Sequence, residues 1–289
     1  MRSGRNRRIW PDRAAICRKM VSRMEIQWSL VLFTVLTGAG GWMLACVAID
    51  EFAGKTRATN KLAVVVAAVV ACAGGIASVT HLSHPEHIMG ALSHPTSGIF
   101  VEAALTGLMA VCAIVYFVLL VREASAGARK AFAVLGAVFG VLLSFMAGES
   151  YMMSSQLAWN TPLLPLGYAG TAMPLGVALY LALAAWRKEP DTSLFAKLLV
   201  AGGVVAALTA AAYGVVSGAG ADQALLVWGL AVIVGGAAPA ALGALAAKTP
   251  EQVLSLAAAA AVCCLAGATA YRCTMWLASV TVNNFFGLL

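Results

Sequence analysis

Residues 27–49 read QWSLVLFTVLTGAGGWMLACVAI, an apolar run that contains no charged side chain. A helix that crosses a membrane needs about 20 predominantly apolar residues, so this run is long enough to span a bilayer. Gly38, Gly40 and Gly41 lie inside it, and residues this small let a second helix approach closely. The run therefore predicts one span of a membrane protein that packs against neighbouring spans.

The rest of the chain repeats this pattern. Of its 289 residues 61% are hydrophobic and 11% are charged, and the mean hydropathy is +0.88. Soluble domains carry about 25% charged residues, and the alternation typical of transmembrane strands is not found. We therefore expect an all-α integral membrane protein with eight transmembrane helices in one domain, residues 24–289. The seven further spans are predicted at residues 62–82, 97–121, 131–153, 164–186, 199–216, 224–245 and 253–280.

The connections are short, which predicts antiparallel neighbouring helices and leaves no stretch long enough for a second folded domain. Any soluble catalytic unit must then be another polypeptide. The first span is followed by a charged loop at residues 50–61. The loops after spans one, three, five and seven carry all of the Lys and Arg residues beyond the N-terminal segment, apart from Arg272. By the positive-inside rule these loops are cytoplasmic, and both termini lie outside.

Residues 1–23 form a basic N-terminal extension with eight Lys or Arg residues, and the predicted topology places it outside, against the same rule. Two explanations compete. Either the topology is inverted, or translation starts at Met24 and the extension lies upstream of the true start. We favour Met24, because the later loops agree with one another.

All four histidines occur in one polar segment, residues 80–102, which reads THLSHPEHIMGALSHPTSGIFVE. It joins the second and third spans on the predicted outer side and reaches into the third span with Glu102. Ionisable groups at membrane depth are costly and usually functional, and histidine exchanges protons near neutral pH. The segment is therefore the predicted site of proton chemistry. Its histidines are His81, His84, His87 and His94.

Four ionisable residues from four spans lie near the outer ends of those spans: His81, Glu102, Glu149 and Arg272. His81 and Glu149 are equally compatible with ordinary helix ends. A charge inside the membrane costs at least ~3 kcal/mol, so Glu102 and Arg272 need a polar ligand or a partner, and each could be that partner for the other. Trp159, in the loop before span five, is compatible with an interface anchor or with a flat surface that stacks on a ring.

Metal and haem sites are disfavoured. His81, His84 and His87 recur at every third residue, but Pro85 disfavours helix at the preceding residue and so removes the shared face. Haem needs axial histidines from facing helices. The seven cysteines are scattered and include no C-x-x-C pair, so we expect neither haem nor an iron–sulfur cluster in this chain.

Four features resemble the membrane-anchor subunit of dimethyl sulfoxide reductases. They are MEIQWSLVLFTVLTG at residues 24–38, HLSHP at residues 81–85, which is similar to the family's H-L-G-x-P, the acid Glu102 in span three, and AYRCTMW around Arg272. The resemblance implies a subunit that does not act on the terminal substrate but binds and oxidises menaquinol, with catalytic roles for His81 and Glu102. The candidate quinol-binding residues are His81, His84, His87, Glu102, Glu149, Arg272 and Trp159.

The resemblance also implies partners. An iron–sulfur electron-transfer subunit and a molybdopterin catalytic subunit would dock on the outer face of the cell inner (cytoplasmic) membrane and hold the iron–sulfur clusters and the molybdopterin. Membrane lipid and quinol are the remaining expected partners, and nucleic acid is not one. The alternative is a proton-coupled secondary transporter, whose site would normally lie near the membrane midplane beside broken helices.

Overall fold

A computed structural model of the chain describes residues 26–80 and 94–279. Within these two ranges the protein is built from helices and has no strand. Eight helices are long and apolar enough to cross a membrane, which confirms the eight predicted spans. They are α1 Trp28–Ala53, α2 Arg57–Val79, α3 Gly98–Val121, α4 Ala126–Glu149, α5 Leu163–Trp186, α6 Ser193–Val216, α7 Leu225–Ala246 and α8 Val253–Leu277.

Helix α1 lies at the centre of the bundle. In its most apolar 18-residue stretch 78% of the residues are buried, against 22% for α3, so α1 is enclosed by protein while α3 is peripheral. The three glycines predicted to admit neighbours do so on three sides. A Cβ on Gly38 would meet Ala172 of α5, one on Gly40 would meet the Ala67 carbonyl of α2, and one on Gly41 would lie 2.5 Å from Gly140 O of α4.

The remaining helices extend this centre. Helix α5 packs against α1, α6 and α8. Helix α7 lies between α6 and α8, and α3 packs mainly against α4. The first part of α7, Leu225–Ala237, is a π-helix, a wider turn that is rare in proteins beyond single turns. The helices alternate in direction along the chain, so the starts of odd-numbered helices and the ends of even-numbered helices lie at the same end of the bundle, which we call the Trp159 end. The opposite end is the Asp50 end.

Several helices begin earlier than predicted. Helices α2, α4 and α6 start at Arg57, Ala126 and Ser193, upstream of the predicted starts at residues 62, 131 and 199. Their first turns carry charged residues, which lower local hydropathy but are compatible with helix at the membrane surface. The hydroxyl of Ser125 accepts a hydrogen bond from the Ala128 amide and so caps the start of α4.

The predicted charged loop at residues 50–61 is wrong in its extent. Asp50 and Glu51 belong to the last turns of α1 and are buried, and only residues 54–56 separate α1 from α2. The helix continues through both acids because other helices supply hydrogen-bond donors to their carboxylates, as described below. Gly54 ends α1 in the left-handed conformation, at φ 65°, where a glycine is favoured.

Candidate functional site

The predicted site residues fall into two groups. His81, His84 and His87 lie outside the described residues. Glu102, Glu149, Trp159 and Arg272 are described, and all four lie at the Trp159 end of the bundle, on α3, the end of α4, the α4–α5 loop and α8.

Glu102 lies in the second turn of α3 and is half-buried. The start of α3 approaches the end of α4 so closely that a Cβ on Gly98 would be 2.6 Å from the Ser150 hydroxyl oxygen. This approach brings Ser150 within hydrogen-bonding reach of the Glu102 side chain. Within the described residues no basic side chain forms an ion pair with Glu102. Its neighbour is therefore a neutral hydroxyl, which leaves the carboxylate able to take up a proton.

Arg272 is fully buried, and all five of its N–H donors are used. Its Nε donates to the Thr34 hydroxyl at 2.7 Å, while the two other nitrogens donate to the Thr171 hydroxyl and to the carbonyl oxygens of Ala268, Thr34 and Tyr168 at 3.0–3.5 Å. These acceptors belong to α1, α5 and α8, so the guanidinium ties three helices together. A ligand could bond Arg272 directly only by displacing one of them.

The charge of Arg272 is not balanced by an acid among the described residues. All its hydrogen-bond acceptors are neutral oxygens, and its guanidinium carbon lies 4.4 Å from the centre of the Tyr168 ring, in the geometry of a cation–π contact. The pairing with Glu102 that the sequence left open is not formed. The Trp159 end therefore contains a fixed positive charge that can stabilise negative charge on a nearby group.

Trp159 is buried, with 2% of its surface exposed. Its indole N–H donates to the Met275 carbonyl at 2.8 Å, which fastens the α4–α5 loop to the end of α8. Its ring meets Trp276 edge-to-face, with centroids 5.5 Å apart. The indole is therefore enclosed by protein. With Tyr151, Tyr168 and Trp276 it forms what we call the aromatic cluster.

Tyr151 is a site residue that the sequence analysis missed. It follows Ser150 directly, and its ring packs against Trp159 and Trp276 with centroid distances of 6.1 and 5.7 Å. Its ring also lies 6.0 Å from the ring of Tyr168, which is in cation–π contact with Arg272 at 4.4 Å. The sequence offered one signal for Tyr151, its position two residues after Glu149 at the end of a predicted span. Many aromatic residues lie at such positions, and only the folded structure shows which of them contact one another.

Two other predicted positions are simpler. Glu149 is exposed at the last residue of α4, and its carboxylate forms no hydrogen bond or ion pair with any residue that the structure describes. His94 is exposed in the loop before α3, which confirms the predicted loop position, and its carbonyl accepts a hydrogen bond from the Ser97 amide.

A second buried polar cluster, also missed from the sequence, lies at the Asp50 end. The Asp50 carboxylate accepts hydrogen bonds from the amides of Lys55 and Thr56 at 2.9 and 2.8 Å and from the Asn60 side chain at 3.0 Å. Asn60 in turn accepts from the Tyr180 hydroxyl at 2.7 Å. Asp50 thus fixes the start of α2, and the cluster continues to α5. The signal was an adjacent pair of acids at the end of an apolar run.

Glu51 extends this cluster toward α3 and α4. Its carboxylate accepts a hydrogen bond from Tyr116 at 2.7 Å and lies 3.9 Å from the Arg129 Nε. The donors come from different helices, so the cluster holds the Asp50 end of the bundle together. Since Asp50 and Glu51 each have partners within the protein, we assign this cluster to structure.

The described groups of the Trp159 end can perform two kinds of chemistry. Glu102 can accept a proton, since a neutral hydroxyl is its partner. Tyr151, the half-buried member of the aromatic cluster, can contact a flat ring, and the Arg272 charge can stabilise negative charge on that ring.

Comparison with known proteins identifies a family. The model of the family described as the DMSO reductase anchor subunit (DmsC) matches residues 23–271, which include α1 to α7, most of α8 and the histidine segment. No individual curated protein matched the sequence. Because the match covers most of the sequence, including the position of Glu102, the chain belongs to the DMSO reductase anchor subunit family.

Proposed function

We propose that the protein binds menaquinol at the Trp159 end and oxidises it, passing the electrons to the iron–sulfur subunit of a molybdopterin oxidoreductase such as dimethyl sulfoxide reductase. Membership of the anchor family supports a role as the membrane subunit of such a complex. The observation that carries the proposal is Glu102. It is an acid inside a membrane helix whose neighbour among the described residues is the neutral Ser150 hydroxyl.

Oxidation of a quinol to a quinone releases two electrons and two protons. The electrons leave for the partner subunit, and the two protons need acceptors beside the ring oxygens. We assign these roles to Glu102 as a carboxylate and to His81 as a neutral imidazole, from which the protons pass to water at the membrane face. His81 lies directly after Thr80, which ends α2 at this same end of the bundle.

The other candidate residues have supporting roles in this proposal. His84 and His87 belong to the same segment as His81, and exposed Glu149 lies at the end of α4 where it can pass a proton to water. Trp159 and Arg272 are enclosed by protein, so they act on the quinol by shaping the aromatic cluster and by supplying positive charge.

The orientation in the membrane is part of the proposal. The basic loops after α1, α3, α5 and α7 all lie at the Asp50 end of the bundle, so the positive-inside rule makes that end cytoplasmic. The Trp159 end then faces outward, together with both termini. On this basis the quinol is oxidised in the outer leaflet of the cytoplasmic membrane, and both partner subunits dock on the outer face.

The test uses the assembled complex and two electron donors. Glu102→Gln and His81→Leu should each slow reduction by a menaquinol analogue by about 10² to 10⁴, the usual effect of removing a general base. An artificial donor that reduces the partner subunits directly should support normal activity in both variants. Glu123→Gln, an exposed acid at the opposite end, and His94→Leu are the matched controls and should behave as wild type.

Two results would contradict the proposal. Normal quinol turnover in both variants would show that neither residue accepts a proton. Loss of activity with the artificial donor as well would show that the substitutions prevent assembly, and the two residues would then be structural.

A further inference from the structure

Tyr151 lies at the Trp159 end of the bundle, as do two ionisable side chains from different helices, Glu102 of α3 and Arg272 of α8. The ring of Tyr151 lies 6.0 Å from the ring of Tyr168, and the Arg272 guanidinium carbon is 4.4 Å from the centre of that second ring. Tyr151 reaches this position because it follows Ser150, the residue within hydrogen-bonding reach of Glu102. Of the three residues, only Tyr151 lies in a loop, where its ring is held by tertiary contacts rather than by a helix.

The ring of Tyr151 is fixed by its neighbours, while its hydroxyl has no hydrogen-bond partner within the part of the chain that the structure describes. Edge-to-face contacts with Trp159 and Trp276, and a tilted contact with Tyr168 at 6.0 Å, fix the ring. Yet the hydroxyl forms no hydrogen bond with any residue in ranges 26–80 and 94–279. The hydroxyl of the buried Tyr271 differs, because it donates to the carbonyl oxygens of Leu163 and Leu164 at 3.1 Å.

A hydroxyl held in this way is suited to bind an oxygen that is brought by a ligand. Burial raises the pKa of the Tyr151 phenol, so the group keeps its proton and remains a donor at every pH at which the protein works. Glu102, in contrast, is an acid that can exchange its proton. The two side chains therefore offer complementary functions to one ring oxygen.

Resting on the function proposed above, we infer that Tyr151 donates a hydrogen bond to the quinol ring oxygen whose proton passes to Glu102. As the O–H bond of the quinol breaks, its proton goes to the carboxylate and negative charge develops on the ring oxygen. The Tyr151 O–H bond stays intact and holds the ring oxygen equally well before and after its proton leaves, while the electrons leave for the partner subunit. Tyr151 is thus a quinol-binding residue and not a proton acceptor.

Arg272 assists through space. All its N–H groups are occupied, so its contribution is a fixed positive charge near the phenols of Tyr151 and Tyr168. A positive charge close to a phenol strengthens the phenol as a hydrogen-bond donor, and it favours negative charge on an oxygen bound there.

Tyr151→Phe tests the inference, because it removes the hydroxyl and keeps the ring that packs against Trp159 and Trp276. In the assembled complex we would measure the Kd of a hydroxyquinoline N-oxide, a quinol analogue whose fluorescence is quenched on binding, together with KM and kcat for a menaquinol analogue. Loss of one hydrogen bond should raise Kd and KM by roughly 3- to 10-fold, with kcat for the quinol changed by less than about threefold. The artificial-donor activity should be unchanged.

Tyr213→Phe is the matched control. Tyr213 is a fully buried phenol near the end of α6 that lies outside the proposed quinol contact, and its ring packs against Tyr271. It should leave Kd and KM at wild-type values. If Tyr151→Phe also leaves them unchanged, or if it prevents assembly of the complex, the inference is overturned.

The same measurements separate this inference from the proposed function. Glu102→Gln should lower kcat, whereas Tyr151→Phe should raise KM. If Glu102→Gln turns over quinol normally while Tyr151→Phe still weakens the analogue, the proton-acceptor role fails and the binding role of Tyr151 survives. If the wild-type complex binds no analogue, both are overturned.

Discussion

The guanidinium Nε of Arg272 lies 2.7 Å from the hydroxyl oxygen of Thr34, so the last spanning helix is bonded to the first. Both residues are buried, with exposures of 0% and 1%, and no water can replace this bond cheaply. The contact therefore joins α8 to the centre of the bundle directly beneath the aromatic cluster.

Thr34→Val keeps the shape of the side chain and removes the acceptor. The variant should lose about 1.5 to 3 kcal/mol of stability, because a charged donor is left unpaired in the interior. The measurement is the thermal unfolding midpoint in detergent. Thr37→Val is the control on the same helix: the Thr37 hydroxyl donates only to the Phe33 carbonyl within α1, so its loss should cost less than about 1 kcal/mol. Equal losses in the two variants would contradict the role of the Arg272 bond.

Gly41 and Gly140 permit the close approach of α1 and α4, and Gly41→Ala should disturb it. The added Cβ would lie 2.5 Å from the Gly140 carbonyl oxygen, so the helices must move apart, at a cost of about 1 to 3 kcal/mol. Gly75→Ala in α2 is the control, since a Cβ there meets nothing within 4 Å. It should be neutral or slightly stabilising in the same unfolding assay. A stable Gly41→Ala protein would show that the α1–α4 contact is looser than the structure indicates.

Asp50→Ala should destabilise the Asp50 end strongly. It removes the acceptor of three hydrogen bonds, from Lys55, Thr56 and Asn60, and leaves buried donors unpaired, which should cost about 3 kcal/mol or more. Limited proteolysis near the start of α2 would report the local loss of structure. The control is Asp191→Ala, because Asp191 is a partly exposed acid that pairs with Lys55 and accepts hydrogen bonds from Ser193, and the expected change is smaller. Similar effects of the two substitutions would be inconsistent with Asp50 as the organising residue.

The ion pair between Lys55 and Asp191 predicts a specific pH dependence. The hydrogen bond from Lys55, at 2.8 Å, lowers the pKa of Asp191 from 3.8 to about 2. A carboxylate whose pKa is lowered on folding stabilises the folded protein at pH values above the ordinary pKa of 3.8. This stabilisation is lost as the pH falls toward the pKa of about 2 in the folded protein. The difference in unfolding midpoint between wild type and Asp191→Asn should therefore be constant from pH 5 to 8 and shrink only below about pH 4. A difference that vanishes already at pH 6 would contradict the pairing.

The architecture was predictable because hydropathy is a local property. All eight spans, and the small residues of α1 that admit neighbours, follow from runs of apolar residues in the sequence. Helix starts were less accurate, since α2, α4 and α6 begin with charged turns that a hydropathy pattern excludes. The exact residue at which a helix starts depends on capping hydrogen bonds and on contact with interfacial water. Both involve single residues, whereas hydropathy is averaged over many.

The partners of the ionisable residues were not predictable. Arg272 was identified as a buried charge, but its acceptors Thr34 and Thr171 belong to helices far away in sequence, and threonines are common in membrane helices. For the same reason the sequence suggested an Arg272–Glu102 pair, which the structure replaces with neutral acceptors. Tyr151 was missed because its position depends on the contact between the end of α4 and the start of α3, which the sequence does not reveal.

The central position of α1 also affects how the protein is made. Helix α1 leaves the ribosome before α2, α4 and α5, the helices that fill the spaces beside Gly40, Gly41 and Gly38. Each of these three later helices therefore completes its packing only against a helix made earlier. A defect in α1 should consequently weaken the docking of α2, α4 and α5 together.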